Sequence, residues 1–224
     1  MAEFEYTSLD LISPGHGRIP NRLLKQTGGA HALVVLLPGL NYTCDNPLLY
    51  YLSRLAVDRS ADVLQLWASY TSREFQSLPK PAQVHWLLQD ARALIEAGQK
   101  VRRYDRLVLA GKSIGTLTLA ALFEQVKELA GTPAIWLTPL FHNPVVLDGA
   151  IHSGSQALFI GGTADPTYAP AAVQQVGSLA TARTLIIPGA DHSLEIPRDT
   201  PRSLEVLQEV MASIAAFLDE ILLG

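Results

Sequence analysis

The sequence predicts an α/β fold, with a doubly wound, mostly parallel sheet and helices on both faces. Short runs of Val, Leu and Ile recur along the chain, and continuous apolar runs of this length are typical of strands buried on both faces. Stretches with helical periodicity separate these runs. Alternation of such strands and helices favours parallel pairing through crossover connections.

The first thirty residues show a different pattern, which predicts an antiparallel strand pair at the start of the sheet. Apolar side chains alternate with polar ones before the turn sequence Ser13-Pro14-Gly15, and a second run covers 18–25. Period-two alternation on both sides of a Pro-Gly turn is typical of antiparallel pairing.

The remaining elements follow in order. Buried strands are predicted at 32–37, 62–67, 106–110, 134–137, 157–160 and 184–187. Helices are predicted at 47–57, at 81–97 up to Gly98, at 114–129 up to Gly131, at 169–179 and over the amphipathic stretch 204–221. No repeat or long linker interrupts this order, so residues 1–224 are predicted to form a single domain.

Composition limits the classes of function. The 224 residues are 48% hydrophobic and 17% charged, which excludes a disordered chain. The formal net charge is -4, and no cluster of Lys and Arg offers the charge that a phosphate backbone requires. Nucleic acid is therefore excluded as an expected partner.

The chain has one cysteine, Cys44, which excludes an internal disulfide framework and any multi-cysteine metal site. We expect a cytoplasmic protein, because the N-terminal stretch is acidic and no apolar run approaches the roughly 18 residues of a membrane span. No His, Asp and Glu spacing predicts a metal site, and no G-x-G-x-x-G follows a strand. Catalysis without metal or cofactor, and without membrane contact, is expected.

The clearest motif is G-K-S-I-G at 111–115, between a predicted strand and a predicted helix. Strand, G-x-S-x-G and helix together predict a nucleophile elbow, in which Ser113 is exposed on a strained turn. The helix N-terminus behind it favours a developing oxyanion. A phosphate-binding loop is excluded, because G-x-x-x-x-G-K-S requires glycine where the chain has Arg106.

A serine nucleophile needs a histidine base and a carboxylate that orients it. Asp165 follows the strand at 157–160 and His192 follows the strand at 184–187, so both are predicted at the carboxyl edge of the sheet with Ser113. The acids that compete with Asp165 are Asp148, Asp191 and Asp199. We favour Asp165, because Asp191 adjoins the histidine too closely to reach its ring.

The predicted oxyanion hole combines the amide of Ile114 with an amide of the loop after the strand at 32–37. Leu40 is the favoured second donor, and Asn41 and Tyr42 are the alternatives. A simple turn at Pro38-Gly39 is the competing interpretation.

These motifs resemble those of the α/β-hydrolase superfamily over residues 32–222. The sequences at 111–115, 161–165 and 189–194 are similar to those of small lidless serine hydrolases related to the dienelactone hydrolases. The chain has Ser113 where dienelactone hydrolases carry cysteine, and Leu-Pro-Gly-Leu where many esterases have His-Gly-Gly-Gly. The resemblance therefore implies neither a lactone substrate nor a lipase.

The resemblance also implies that a cap would be inserted after the strand at 134–137. Residues 138–156 are too few for a large cap, so we expect an open, shallow site. Its expected rim is Leu140, Phe141, His142 and Tyr42, with Asn41, Tyr42 and His142 as predicted substrate contacts. A solvated loop histidine is the alternative for His142. Aromatic residues after another strand would shape the substrate pocket or simply pack in the core: Trp67, Tyr70 and Phe75, together with Ser69.

The sequence predicts a serine hydrolase of the carboxylesterase or thioesterase type, acting on a small-molecule acyl substrate. Ser113 attacks the carbonyl, His192 moves the proton, Asp165 orients the ring, and water releases the acyl group. Two alternatives stay open: an acyltransferase or amidase with the same triad, and a non-catalytic interaction protein with this fold. The oligomeric state has no signal in the sequence.

Overall fold

An eight-stranded sheet lies at the centre of the computed structural model, which describes residues 3–13, 17–68 and 70–224. The strands of the chain are β1 (Phe4–Thr7), β2 (Ile12–Ser13), β3 (Gly17–Arg18), β4 (Asn21–Gln26), β5 (Ala32–Leu37), β6 (Asp62–Leu66), β7 (Arg106–Lys112), β8 (Ala134–Leu137), β9 (Ala157–Gly162) and β10 (Ala182–Ile187). The helices are α1 (Pro47–Asp58), α2 (Arg73–Ser77), α3 (Lys80–Gly98), α4 (Ile114–Gln125), α5 (Pro144–His152), α6 (Pro170–Gly177) and α7 (Thr200–Leu223).

The strand order is β1-β4-β6-β5-β7-β8-β9-β10. From β6 to β10 all neighbours are parallel, whereas β4 is antiparallel to both β1 and β6. The predicted N-terminal antiparallel pair is therefore β1 with β4. A separate two-stranded sheet joins β2 to β3, and Pro14 and Gly15 of the predicted turn lie outside the described residues.

Side chains of the central strands alternate between two cores. In β5, Leu33, Val35 and Leu37 face one core and Val34 and Leu36 face the other. Helices α3, α4, α5 and α6 cover the first face, and α1 and α7 cover the second. Since each central strand is covered on both faces, its sequence is continuously apolar, and the predicted doubly wound arrangement is confirmed.

The helix predicted at 114–129 is shorter in the structure. Helix α4 ends at Gln125, because Val126 leaves the helical region at φ -116° and ψ 88°. A short 3-10 turn, Lys127–Leu129, follows and buries Leu129. Apolar periodicity continued through this break, so the pattern alone did not reveal it.

Two short helices were not predicted from the pattern. Helix α5 occupies much of the segment 138–156, with Pro144 in its first turn and the Asn143 side chain accepting a hydrogen bond from the Val145 amide. Helix α2 begins after Ser72, whose hydroxyl accepts from the Phe75 amide. Both have recognisable N-caps, but neither is long enough to show a helical period.

Gly98 lies in the last turn of α3, one position beyond the predicted end. A Cβ atom on Gly98 would lie 2.6 Å from a Leu64 methyl group. A side chain at this position would therefore have to displace the end of the Leu64 side chain, where α3 packs on β6. Among the helices of the described residues, none is both long and apolar enough to cross a membrane.

Candidate active site

Ser113 lies on a sharp turn between β7 and α4, as the G-x-S-x-G motif predicts. Its backbone is in a strained region, with φ 54° and ψ -115°. The Ser113 amide donates to the Leu137 carbonyl at 3.0 Å, which ties the turn to β8. The serine therefore lies at the carboxyl edge of the sheet in front of the α4 N-terminus.

The two glycines of the motif are required by close backbone packing. A Cβ atom on Gly111 would lie 2.5 Å from the Gly115 carbonyl oxygen, and one on Gly115 would lie 2.2 Å from the Leu37 carbonyl oxygen. Real Cβ contacts are not this short, so a side chain at either position would displace the turn. These contacts also place the loop after β5 directly against Ser113.

Three side chains from three different loops meet at this turn. The distance from Ser113 Oγ to His192 Nε2 is 2.8 Å, and that from His192 Nδ1 to Asp165 Oδ2 is 2.6 Å. An ionised Asp165 only accepts, so Nδ1 carries the proton it donates, and Nε2 is free to accept from the Ser113 hydroxyl. The structure thus brings together the three residues that the sequence placed after separate strands.

Asp165 is buried and its carboxylate is fully partnered. Its other oxygen, Oδ1, accepts from the Thr167 amide at 2.7 Å and the Thr167 hydroxyl at 2.8 Å. Burial raises the pKa of Asp165, but the hydrogen bonds from His192 and Thr167 outweigh it and hold this pKa below its ordinary value. Asp165 is therefore ionised at neutral pH. Sequence reasoning missed Thr167, although Asp-Pro-Thr after a strand is a turn signal.

The loops that carry Asp165 and His192 are bonded to each other. The Gly189 amide donates to the Thr163 hydroxyl at 2.8 Å, and the Ala164 amide donates to the Ala190 carbonyl at 2.9 Å. A Cβ atom on Gly162 would lie 2.1 Å from that same Ala190 oxygen. The parallel pairing of β9 with β10 thus extends into the loops and sets the spacing of the acid and the base.

The other acids that were considered have different roles. Asp191 Oδ1 accepts from the amides of Ser193 and Glu195 within its own loop, at 2.8 and 3.1 Å. Asp199 caps α7 by accepting from the Arg202 amide. Asp148 is exposed on α5. Only Asp165 of these four contacts the His192 ring.

The predicted oxyanion donors lie on either side of Ser113 in the fold. Ile114 is the first residue of α4, so its amide has no acceptor one turn earlier in the helix. Leu40 is at the tip of the loop after β5, where it is 48% exposed. The Gly39 amide is already used, because it donates to the Tyr42 carbonyl at 3.0 Å.

The predicted substrate contacts differ in their availability. Asn41 lies next to Leu40 with a positive φ of 54°. Tyr42 is held in the structure, because its hydroxyl accepts from the Leu48 amide at 3.1 Å and caps α1. Burial raises the pKa of Tyr42 to about 12. The Tyr42 hydroxyl is therefore engaged within the fold.

His142 is exposed in the turn that precedes α5. This turn is connected to the nucleophile through Thr116, whose hydroxyl accepts from the Leu140 amide at 3.2 Å and donates to the Ser113 carbonyl at 2.6 Å. Phe141, predicted at the rim, is instead buried in the core. It packs against Phe159, because the short α5 turns this segment inwards.

The other residues that were considered are structural. Cys44 is fully buried, and burial raises the pKa of its thiol, which opposes thiolate formation. Tyr70 and Phe75 are buried in the core with ring centroids 5.0 Å apart. The Arg22 guanidinium lies 3.8 Å from the centroid of the Trp67 ring. Ser69 lies outside the described residues.

A groove of about 230 Å³ lies between the loop that carries His192 and the N-terminal ends of α1 and α7, and neither Ser113 nor His192 lines it. Tyr42 and Leu48 form one wall, and Leu204 and Leu207 line another. Within the described residues, no group of three or more His, Cys, Asp and Glu side chains is arranged to bind a metal ion.

Comparisons with known proteins identify the fold. No protein-family model and no curated protein matches the sequence. Many solved structures are similar to it, among them the following three. A cold-adapted esterase from an Arctic intertidal metagenomic library has a TM-score of 0.74 and 13% identity, over 97% of this chain and 94% of that one. A lidless α/β serine hydrolase from Xanthomonas campestris has a TM-score of 0.70 and 18% identity, over 96% and 94% of the two chains. Est1E from Butyrivibrio proteoclasticus, with ferulic acid bound, has a TM-score of 0.71 and 12% identity, over 92% and 96%.

The chain therefore has the α/β-hydrolase fold, as the sequence motifs predicted. The expectation that no large cap is present is also confirmed, because the segment after β8 forms only the short helix α5, which packs on α4. Similar structures include esterases and serine hydrolases. At these identities the likeness concerns the fold, and function has to be argued from the site.

Proposed function

We propose that the protein is a serine hydrolase that cleaves a small carboxylic ester or thioester through an acyl-enzyme on Ser113. The observation that carries this proposal is the continuous hydrogen-bonded chain from the Ser113 hydroxyl through His192 to Asp165, with distances of 2.8 and 2.6 Å. A neutral serine hydroxyl is a weak nucleophile, and this arrangement is the one that activates it.

In the first half of the reaction, Ser113 Oγ attacks the substrate carbonyl while its proton moves to His192 Nε2. Asp165 stabilises the imidazolium that forms, because its carboxylate faces Nδ1. The proton then passes from Nε2 to the leaving alcohol or thiol, and the acyl group remains on Ser113.

In the second half, a water molecule takes the place of the leaving group. It gives a proton to His192, attacks the acyl carbonyl and releases the carboxylic acid, and Ser113 recovers its proton. In both halves we assign stabilisation of the carbonyl oxyanion to the amides of Ile114 and Leu40. Asn41, Tyr42 and His142 are assigned to the rim that contacts the substrate.

The proposed substrate is small because α5 packs on the core and leaves Ser113 without a cap. We take the site at Ser113 to be open and shallow, with little depth to enclose a long acyl chain. We therefore propose short acyl chains as the preferred group. A cytoplasmic location stays a prediction from the sequence.

The experiment that tests the proposal is intact-mass detection of a fluorophosphonate adduct. We expect one adduct on the native chain, none on Ser113→Ala and a much slower reaction of His192→Ala. Asp199→Asn is a matched control, because Asp199 caps α7 outside the site, and its reaction should be unchanged. A folded native chain without any adduct would contradict the proposal and favour a non-catalytic interaction protein.

Substrate class is tested next with p-nitrophenyl esters and acyl thioesters of increasing chain length. We expect kcat/KM to be highest for short acyl groups and to fall as the acyl chain lengthens. Addition of an alcohol or amine acceptor distinguishes an acyltransferase, since the acyl group would then appear on the acceptor rather than as the free acid. Activity that rises with chain length would contradict the small-substrate proposal.

A further inference from the structure

Lys112, the residue before Ser113, is buried with only 2% of its surface exposed. A lysine is almost never fully buried unless its ammonium group is paired. Lys112 Nζ donates to the main-chain carbonyl of His192 at 3.0 Å. It also lies 4.6 Å from the centroid of the Tyr42 ring, within range of a cation–π contact.

We infer that Lys112 is a positioning residue for His192, which it holds at the distance from Ser113 that proton transfer requires. This inference rests on the proposed function. Lys112 does not touch the reacting atoms; it acts through the backbone of the histidine.

The geometry places His192 between two consecutive residues of one turn. Ser113 Oγ contacts the ring at Nε2, and Lys112 Nζ contacts the carbonyl oxygen of the same residue. His192 lies in the loop between β10 and α7, where no sheet bond fixes its backbone. The bond from Lys112 therefore supplies a link between the nucleophile turn and the base that the sheet does not.

The lysine side chain also packs against the loop that carries the predicted oxyanion donor. A Cβ atom on Gly39 would lie 3.1 Å from Lys112 Cδ and 3.0 Å from Tyr42 Cβ. Gly39 thus leaves room for the lysine side chain beneath this loop. Through these contacts Lys112 joins the nucleophile turn, the histidine loop and the loop after β5.

The charges around Lys112 come from the loops packed against it. Burial lowers the pKa of its ammonium group to about 8, against the opposing effect of Asp165 and Asp191. Tyr42 stays neutral in this range, because its pKa is about 12. His192 is the remaining titratable group in contact. Above about pH 8 the lysine loses its charge and its hydrogen bond to the carbonyl weakens.

The test replaces Lys112 by methionine, which has a similar length and no N–H donor. With p-nitrophenyl acetate we expect Lys112→Met to lose about 10- to 100-fold in kcat, with KM within about 2-fold of native. The native profile of kcat should fall above about pH 8, and this alkaline limb should be absent from the variant. A limb with the same midpoint in both proteins would assign it to another group and overturn the inference.

A readout independent of turnover is the NMR resonance of the proton between His192 Nδ1 and Asp165, assigned by its absence in His192→Ala. We expect it to shift or broaden in Lys112→Met, because the histidine is no longer held. A folded Lys112→Met variant with native kcat, or with an unchanged resonance, would overturn the inference.

The matched control is Gln83→Leu. Gln83 is also buried, and its Nε2 donates to the carbonyls of Phe75 and Leu78 at 3.2 and 3.1 Å, away from the site. This variant should lose stability while it keeps native kcat and the native resonance. A comparable kcat loss in the control would mean that Lys112 acts through general stability, which would also overturn the inference.

If Lys112→Met does not fold, Lys112→Arg carries the test. Its guanidinium keeps a charged donor at alkaline pH, so the alkaline limb should disappear, and a limb that stays near pH 8 would overturn the inference. Absence of a fluorophosphonate adduct on the native chain would contradict the proposed function alone, because the Nδ1 proton still reports whether Lys112 positions His192.

Discussion

At the carboxyl edge of the parallel strands, most left-handed backbone positions carry side chains, whereas at the amino edge most of them are glycines. Asn41, Tyr70, Ser113 and Thr138 have positive φ just after β5, β6, β7 and β8. Positive φ just before β5, β8 and β9 falls on three glycines: Gly29, Gly131 and Gly154. The exceptions are Ser60, before β6, and Gly189, just after β10.

The difference shows what each edge has to achieve. The amino edge only has to turn the chain, and a Cβ atom on Gly131 or Gly154 would meet nothing within 4 Å. Glycine therefore makes these turns without strain. At the carboxyl edge the direction of a side chain matters, so the fold retains residues whose left-handed backbone costs about 1–3 kcal/mol each.

Thr138 illustrates the cost at the carboxyl edge. Its φ is 44°, it is buried, and its hydroxyl has no hydrogen-bond partner within the part of the chain that the structure describes. An unpaired buried hydroxyl costs about 1–3 kcal/mol. The Thr138 amide donates to the Ile160 carbonyl at 2.7 Å. The pairing of β8 with β9 therefore fixes the backbone conformation of Thr138.

Two buried aspartates show the difference between the two edges most clearly. Asp165 at the carboxyl edge presents one oxygen to His192. Asp62 at the amino end of β6 accepts from the Gln26 amide, the Tyr104 hydroxyl and Arg102, at 2.8, 2.6 and 3.0 Å. Both carboxylates are satisfied, but only one of them is directed at a group that would change its charge during a reaction.

The largest expected effect is the contrast between Asp165→Asn and Asp62→Asn. Asp165→Asn should lower kcat by about 10³- to 10⁴-fold with a small change in stability. The reason is that the neutral amide of asparagine does not stabilise the imidazolium as the carboxylate does. Asp62→Asn should keep native kcat but lose about 2 kcal/mol of unfolding free energy, because its amide N–H groups would face the Arg102 and Tyr104 donors. For each variant, urea unfolding measures the change in stability and ester hydrolysis measures kcat. The contrast would fail if Asp62→Asn lost activity as strongly as Asp165→Asn.

A smaller effect is expected from alanine at one glycine of each edge. Gly115→Ala should lose about 3 kcal/mol and most activity, because its Cβ atom would lie 2.2 Å from the Leu37 carbonyl oxygen. Gly131→Ala has open space at φ 77°, so only the backbone strain of about 1–2 kcal/mol remains. Unfolding in urea, with activity of the folded fraction, separates the two. Equal losses would show that backbone conformation, and not the close contact, governs both positions.

The smallest expected effect concerns Thr167. Thr167→Val removes the hydroxyl that donates to Asp165 Oδ1 and should cost about 1 kcal/mol at pH 7. The pKa of Asp165 is lowered in the folded chain. Its stabilisation is therefore present above the unfolded pKa, about 3.9, and is lost as the pH falls through the folded value. The difference between native and variant should thus shrink at low pH.

Unfolding at pH 7 and pH 3 measures this change. Thr163→Val is the control at the same edge, because its hydroxyl accepts from the Gly189 amide and no carboxylate is involved. Its cost should stay constant with pH. A Thr167→Val difference that is the same at both pH values would contradict the role of Thr167 in lowering the pKa of Asp165.

Much of the fold was predictable because its signals are local. Continuous apolar runs reveal β5 to β10, although β10 at the sheet edge is only partly buried. The glycines at 111 and 115 reveal the turn, because a close approach there excludes any side chain. The short helices α2 and α5 escaped, since each is shorter than the window in which helical periodicity is visible. The end of α4 before Val126 was not predicted for a related reason, because apolar residues continue beyond it.

The sequence predicted which strand ends carry the site residues. It did not predict which side chains contact each other there. Ser113, Asp165 and His192 follow separate strands, and parallel strands bring their carboxyl ends to one edge. The sequence favoured Asp165 among four acids, but it did not show which carboxylate contacts the His192 ring. Asp191 is closer in the chain, but hydrogen bonds inside its own loop occupy it.

By itself, then, the sequence determined the order of strands and helices, the strained turn at Ser113 and the edge on which acid and base would lie, because periodicity and turn chemistry act over a few neighbouring residues. Only the tertiary structure decided that Thr167 supports Asp165, that Tyr42 caps α1 and that Lys112 reaches the His192 carbonyl. Thr167 and Tyr42 are close in the chain to their partners, and only the folded loop shows which groups bond there. For the lysine, the physical reason is distance along the chain. Lys112 and His192 are 80 residues apart, and their contact depends on how two loops pack after the sheet has formed.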